Sequence, residues 1–294
     1  MYIFYIYPMK FSFFFLYLSF SSWFPFISSA SSVVNYDTRQ LYANVWLSGA
    51  SYCNKNTYET MKIGGEYASS FIWKHTLYDF ITDAQGFIGI LPDTETIHVV
   101  IRGSYSVRNW IDDLEIKQTP YFTYPECNCN VHWGFYNSAL NIRNMTIETV
   151  KELQIQYPTY SVVVTGHSYG AAVGQLLAME LEKENIRVQL YNYGQPRVGD
   201  IEYAMFVNTI LRNYWRVTHN RDIVPHVPPK KIVNIQYLHS CTEIFENEMG
   251  ELTLCSSTDS EDIQCSNQFS LKQTDIRDHA YYLQHQVSCG KSLM

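Results

Sequence analysis

The chain has 294 residues and a formal charge of −7, with 21 Lys and Arg against 28 Asp and Glu. No basic excess is present to draw a polyanion, which argues against a nucleic-acid-binding protein. With 46% apolar and 17% charged residues it is too hydrophobic for a disordered chain, and it is long enough to bury a core unaided.

Residues 1–30 read as a leader. Met9-Lys10 precedes the apolar run Phe11–Phe20, and Ser28-Ser29-Ala30 supplies small residues for cleavage after Ala30. This predicts a signal peptide, a secreted protein and a single mature domain over residues 31–294. Phe11 to Ile27 carries four Ser and Pro25, which falls short of the ~20 apolar residues of a membrane span.

Six runs read as strands: Gly86–Leu91, Thr96–Ile101, Tyr160–Thr165, Arg187–Tyr193, Tyr214–Thr218 and Val233–Leu238. Several are almost unbroken apolar or β-branched stretches, as strands covered on both faces require. Helical periodicity fills Phe135–Gln156, Ala171–Glu184 and Ile201–Leu211. Strands alternating with helices predict an α/β protein with a mostly parallel central sheet wrapped by helices.

The most informative run is Val162–Ala172, in which a buried strand meets Gly166-His167-Ser168-Tyr169-Gly170 and then a helix of small residues. Gly-x-Ser-x-Gly in that setting places a serine on a strained turn, its hydroxyl raised beside the N–H groups of a helix start. A serine needs a base and the base needs a carboxylate, in the chain order Ser, acid, His for sheets of this kind. Asp222, in Asn220-Arg221-Asp222 after the strand Tyr214–Thr218, is the first candidate acid, with Asp200 its rival. His226, His239, His279 and His285 follow in the required order. His279 is favoured, because the loop before it is long enough to swing back over the sheet.

Seven cysteines lie beyond the leader, none in paired CxxC motifs and none beside a His at metal-ligand spacing. Disulfides in an oxidising compartment are the expected use, and no metal or organic cofactor is implied. Val107, Trp110, Ile111 and Leu114 recur at i, i+3, i+4 and i+7 between charged positions, the pattern of a short helix with one apolar stripe.

Together these residues resemble the class 3, fungal-type triacylglycerol lipases, a group that includes Rhizomucor-type lipases and feruloyl esterases. The likeness runs from about Asn44 to Gly290. It rests on Ile101–Ser104, Arg108–Leu114, Val131–Phe135, the Ser168 turn, Gly194–Gly199, Arg221–Pro229 and Asp278–Tyr282. The resemblance implies an α/β-hydrolase fold in which Ser168 is nucleophile, Asp222 acid and His279 base. It places an oxyanion hole at Ser104 and the Tyr169 N–H, with Asp113 orienting the Ser104 hydroxyl. It makes Val107, Trp110, Ile111 and Leu114 the buried stripe of a lid. It also implies the disulfides Cys53–Cys289 and Cys255–Cys265. Cys127-Asn128-Cys129 is one residue shorter than the family's CxxC, so strain argues against that pair, and Cys241 is left over. Tyr169 departs from the Leu usual at its place. The implied activity is hydrolysis of lipid esters at a lipid–water interface, with transient contact to a droplet or membrane surface, by a monomer. A phospholipase, a galactolipase, a phenolic-acid esterase and a catalytically silent lipid-binding protein remain the alternatives.

Overall fold

The computed structural model describes residues 36–60 and 67–289, so the expected leader lies outside the described residues. Eight strands form the main sheet, and their spatial order is their order in the chain. They are β1 (Ile72–Tyr78), β2 (Gln85–Leu91), β3 (Thr96–Ile101), β4 (Ser161–His167), β5 (Val188–Tyr193), β6 (Asn213–His219), β7 (Glu243–Glu246) and β8 (Leu252–Leu254). Strands β3 to β7 run parallel, while β1, β2 and β8 add antiparallel edges. The helices are α1 (Thr38–Ala50), α2 (Lys55–Thr60), α3 (Val107–Asp112), α4 (Trp133–Gln156), α5 (Tyr169–Lys183) and α6 (Ile201–Ile210). This is the α/β-hydrolase arrangement.

Alternation along the strands divides the core. On one face Val162, Val164 and Leu190 pack with Phe135 and Ile142 of α4 and with Val173, Leu176 and Leu177 of α5. On the other, Val163, Tyr191, Tyr193 and Val217 pack with Leu41 and Val45 of α1. A strand with both faces covered must be apolar at every position, which is why β4 carries three consecutive valines. Parallel neighbours also need crossover segments, and α5 and α6 supply those after β4 and β5.

Three main-sheet strands and two helices lie outside the sequence expectation. The edge strand β1, the strands β7 and β8 and the helices α1 and α2 are all present. Conversely, Val233–Leu238 is not a sheet strand. Val233 has φ +53° and forms the exposed tip of a short ribbon, Lys231–Ile232 with Ile235–Gln236. The remaining predicted elements hold to within two residues at most ends. Disulfides join Cys53 to Cys289 and Cys255 to Cys265, and Cys127 and Cys129 are also joined, against expectation. A left-handed Asn128 at φ +47° turns the backbone so that the two thiols meet across a single residue. Cys241 is free.

Candidate active site

At the end of β4 the chain must reverse into α5 within one residue. Ser168 makes that reversal with φ +60° and ψ −131°, a conformation that L-residues enter only under constraint. The constraint is the packing around it. A Cβ on Gly166 would lie 2.3 Å from the Gly170 carbonyl oxygen, and one on Gly170 would lie 2.3 Å from that of Ile101. The Ser168 N–H donates to the Tyr193 carbonyl at 2.9 Å, tying the turn to β5. Ser168 is fully buried, and its Oγ has no hydrogen-bond partner.

Asp222 and His279 meet from widely separated loops. The His279 Nδ1–H donates to Asp222 Oδ2 at 2.7 Å, and the Val224 N–H donates to Asp222 Oδ1 at 2.8 Å. The Tyr282 phenol donates to Oδ2 as well. Burial pushes the Asp222 carboxyl up, but the neighbouring imidazole and the bonds from His279, Tyr282 and Val224 outweigh it and hold the carboxyl below its ordinary value. With the Nδ1 proton engaged, His279 Nε2 carries the free lone pair, and it too is buried without a partner. The ring stands 4.3 Å, centroid to centroid, from His167, the residue before Ser168.

His167 is locked in the neutral form. Its Nε2–H donates to the His279 carbonyl at 2.8 Å, and its Nδ1 accepts from the Tyr52 hydroxyl at 2.7 Å. Burial, and then the neighbouring His279, push its pKa well below the usual histidine value. Gly194 explains how the imidazole of His279 fits. Its φ is +55°, and a Cβ there would lie 2.7 Å from both His279 Cε1 and the Tyr282 hydroxyl. Tyr52, Gly194 and Tyr282 had no role in the sequence reading. Gly194 and Tyr282 nevertheless lie inside runs it singled out.

The other candidates are engaged elsewhere. Asp200 caps α6, accepting from Tyr203 N–H at 2.9 Å, and also binds the Asn130 N–H at 2.7 Å. His239 donates through Nε2 to the Pro225 carbonyl at 2.7 Å. His226 is buried in the turn Val224–His226, where desolvation lowers its pKa. His285 stacks on Trp46 at 3.9 Å, and burial lowers it to about 4.

Around this constellation lie two cavities. Ser104, Tyr105, Val107, His167, His279 and Val287 line one of about 400 Å³. Tyr169, Trp110, Leu114, Phe135, Ser138 and Ile81 line another of about 500 Å³. The Tyr169 phenol donates to Ser138 Oγ, and burial pushes it up to about 12. As the first residue of α5, Tyr169 has a backbone N–H with no helical acceptor. Helix α3 borders both cavities with no buried residue. Val107, Trp110, Ile111 and Leu114 are half-covered, while Arg108, Asn109, Asp112 and Asp113 are exposed. Asp113 departs from expectation, because its carboxylate makes no hydrogen bond to Ser104. It caps the exposed end of α3 and faces the larger cavity instead.

The family model "Lipase (class 3)" matches residues 98–232. A lipase of Rhizomucor miehei is 38% identical over 217 residues, which is 71% of this chain and 57% of that protein. A secreted mono- and diacylglycerol lipase A of Penicillium cyclopium is 35% identical over 185 residues, 61% of this chain and 59% of that protein. The solved Rhizomucor miehei lipase–propeptide complex superposes with a TM-score of 0.76 at 33% identity, covering 84% of this chain and 80% of that one. The chain belongs to the class 3 lipase family. It spans little more than half the length of the curated relatives it matches. The family match spans β3 to the ribbon after Asp222, and so includes Ser104, α3 and Ser168. His279 lies beyond it, carried back to the site by the loop that ends in the turn Asp278–Ala280.

Proposed function

We propose that this class 3 lipase family member is a secreted serine esterase acting on carboxylic esters of lipids, triacylglycerols foremost. The observation that carries the reading is a pair of buried, unbonded atoms, Ser168 Oγ and His279 Nε2, with the imidazole already anchored on Asp222 at 2.7 Å. Buried polar atoms are normally paired, so one left open at the strained Ser168 turn and one on the imidazole anchored by Asp222 favour a working proton path over a structural one.

In that reading Ser168 Oγ attacks the ester carbonyl as His279 Nε2 takes its proton, and Asp222 steadies the resulting imidazolium. The Tyr169 N–H and the Ser104 N–H and hydroxyl receive the oxyanion, each donor contributing ~3 kcal/mol. His279 returns its proton to the departing alcohol. Water then cleaves the acyl-enzyme with His279 as base again. Because Ser168 is fully buried, the ester reaches it only when α3 is displaced, and the half-covered apolar stripe suits α3 to turn toward lipid. Three disulfides fit an oxidising, extracellular setting.

The test is the initial rate on a short-chain triglyceride across its solubility limit, with Ser168→Ala beside it. A jump once droplets form, and a fall of at least about 10⁴-fold in the variant, are expected. Smooth saturation below the limit would retain the triad and remove the lid. No Ser168-dependent hydrolysis of any ester would remove the enzyme.

A further inference from the structure

The turn between β1 and β2 carries two adjacent, almost fully exposed apolar side chains, Phe80 at 86% and Ile81 at 83%. Its position follows from register. Gly86 of β2 pairs with Ile101 of β3, and Ile101 pairs with Gly166 of β4, so the turn rises from the same end of the sheet as Ser168. Ile81 and Thr82 border the cavity that Trp110, Leu114 and Tyr169 line, as does the partly exposed Trp133.

The turn is built to hold these side chains out. Asp79 Oδ2 accepts from the Thr82 N–H at 2.7 Å, the Thr82 hydroxyl at 2.6 Å and Asn141 Nδ2 at 3.0 Å. The Asp79 N–H donates to the Ala84 carbonyl at 2.9 Å, closing the turn. On its other side Asp83 receives Arg102 at 2.8 Å, and Arg102 stands two residues before Ser104. A tip already ordered loses little entropy when it meets a surface.

We propose that Phe80 and Ile81 form a wedge that inserts into an uncharged lipid surface and holds the cleft mouth against it. The inference rests on the lipid-ester reading above and adds the residues of contact and the kind of surface. Two side chains on a convex tip present no groove for a protein partner. Asp79 and Asp83 flank them, Asp113 and Glu115 border the adjoining cavity, and the chain carries −7 overall, so an anionic membrane is disfavoured. Neutral lipid, the phase in which triacylglycerol resides, meets both conditions.

Adsorption is measured in the Ser168→Ala chain, where turnover does not intervene, on triolein droplets coated with phosphatidylcholine. Phe80→Asp is expected to weaken adsorption at least about tenfold, the partition cost of one exposed phenyl ring. Ile155→Asp serves as control, since Ile155 is equally exposed near the end of α4, which feeds the opposite end of β4. It is expected to adsorb as the parent does, and phosphatidylglycerol in the coat is expected to weaken parental adsorption. With Ser168 intact, Phe80→Asp is expected to turn over dissolved tributyrin at the parental rate. The proposal is overturned by adsorption of Phe80→Asp within twofold of the parent, or by an equal loss in Ile155→Asp. Stronger adsorption on anionic coats, or loss of turnover on dissolved tributyrin, overturns it too. If the Ser168 chain hydrolyses no ester while adsorption still depends on Phe80, the lipid-ester reading fails and the wedge stands.

Discussion

Helices α5 and α3 flank the same serine and are held in opposite ways. Helix α5 runs fifteen residues with twelve of them buried, and its start is wedged between Gly166 and the end of β3. Helix α3 runs six residues with none buried, and its N-cap bond from Asn109 N–H to Ser106 Oγ is long at 3.4 Å. Few buried contacts and a short hydrogen-bonded run mean that α3 opens at low cost, whereas α5 moves only with the core. The contrast assigns two tasks to two stabilities. On the proposed reading, the atoms that must stay fixed to a fraction of an ångström sit on the rigid element, and access is governed by the loose one, which borders both cavities.

The sharpest way to break this contrast is to disturb the rigid side. Gly170→Val places side-chain atoms where backbone oxygen already stands, with a Cβ 2.3 Å from the Ile101 carbonyl. The expected cost is about 3 kcal/mol or more, read as a fall in melting temperature of roughly 10 °C together with loss of ester hydrolysis. A stable, active Gly170→Val chain would show that β3 and α5 are not packed as described.

A substitution on the loose side should separate stability from activity. Trp110 lies on α3, stacks on Phe135 at 6.0 Å between centroids and borders the larger cavity. Trp110→Ser removes one partial contact with the core, worth ~1 kcal/mol, so the melting temperature should fall by only about 2–4 °C. Hydrolysis of emulsified triglyceride should fall about tenfold, since the stripe loses its largest apolar side chain. Calorimetry paired with an emulsion assay reads both. A large loss of stability with unchanged emulsion activity would make α3 a structural helix and not a lid.

How much of this was legible beforehand follows from how local each signal is. The strand–turn–helix around Ser168 is written in consecutive residues, so glycine spacing and valine runs revealed it directly. The apolar stripe of α3 was equally readable, because its period lies within eight residues. By contrast, β7 reads Glu243-Ile244-Phe245-Glu246, and no pattern rule places two buried glutamates in a parallel strand. They are tolerated because Glu243 accepts from Arg216 at 3.3 Å and from Thr218 at 2.6 Å, while Glu246 accepts from the Leu283 N–H at 2.6 Å. Those partners lie twenty-five or more residues away in most cases, beyond any window of sequence. Edge strand β1 was hidden for the related reason that a strand with one open side tolerates Lys74, His75 and Thr76. Val233–Leu238 misled in the other direction, its β-branched residues lying on an exposed ribbon. His279 was favoured among four histidines, yet the residues that make its place, Gly194 behind the ring and Tyr282 on the carboxylate, act only through the fold.

Tyr282 offers the finest test of the rigid side, because it bonds Asp222 while being fully buried and lining neither cavity. Burial works to raise the Asp222 carboxyl, and the His279 imidazole and the hydrogen bonds from His279, Tyr282 and Val224 reverse that. A carboxyl whose folded pKa is depressed contributes stability above its unfolded value of ~3.9, and that contribution fades as pH falls through the folded value. Tyr282→Phe removes one of the depressing donors while keeping the ring that packs on Tyr193 and His167. The Asp222 pKa should therefore rise toward its unfolded value, so the acid-side loss of stability, which starts at the same unfolded value in both chains, should be smaller and end at a higher pH in the variant. At pH 7 Asp222 is ionised in both chains, so the difference there reduces to one lost hydrogen bond, about 1 kcal/mol in stability. Looser anchoring of His279 should lower kcat less than tenfold, with KM unchanged. Melting temperature followed between pH 3 and 7 reads the shift directly. Superimposable acid limbs would mean that the imidazole and the Val224 N–H alone hold the carboxylate, leaving the phenol to pack.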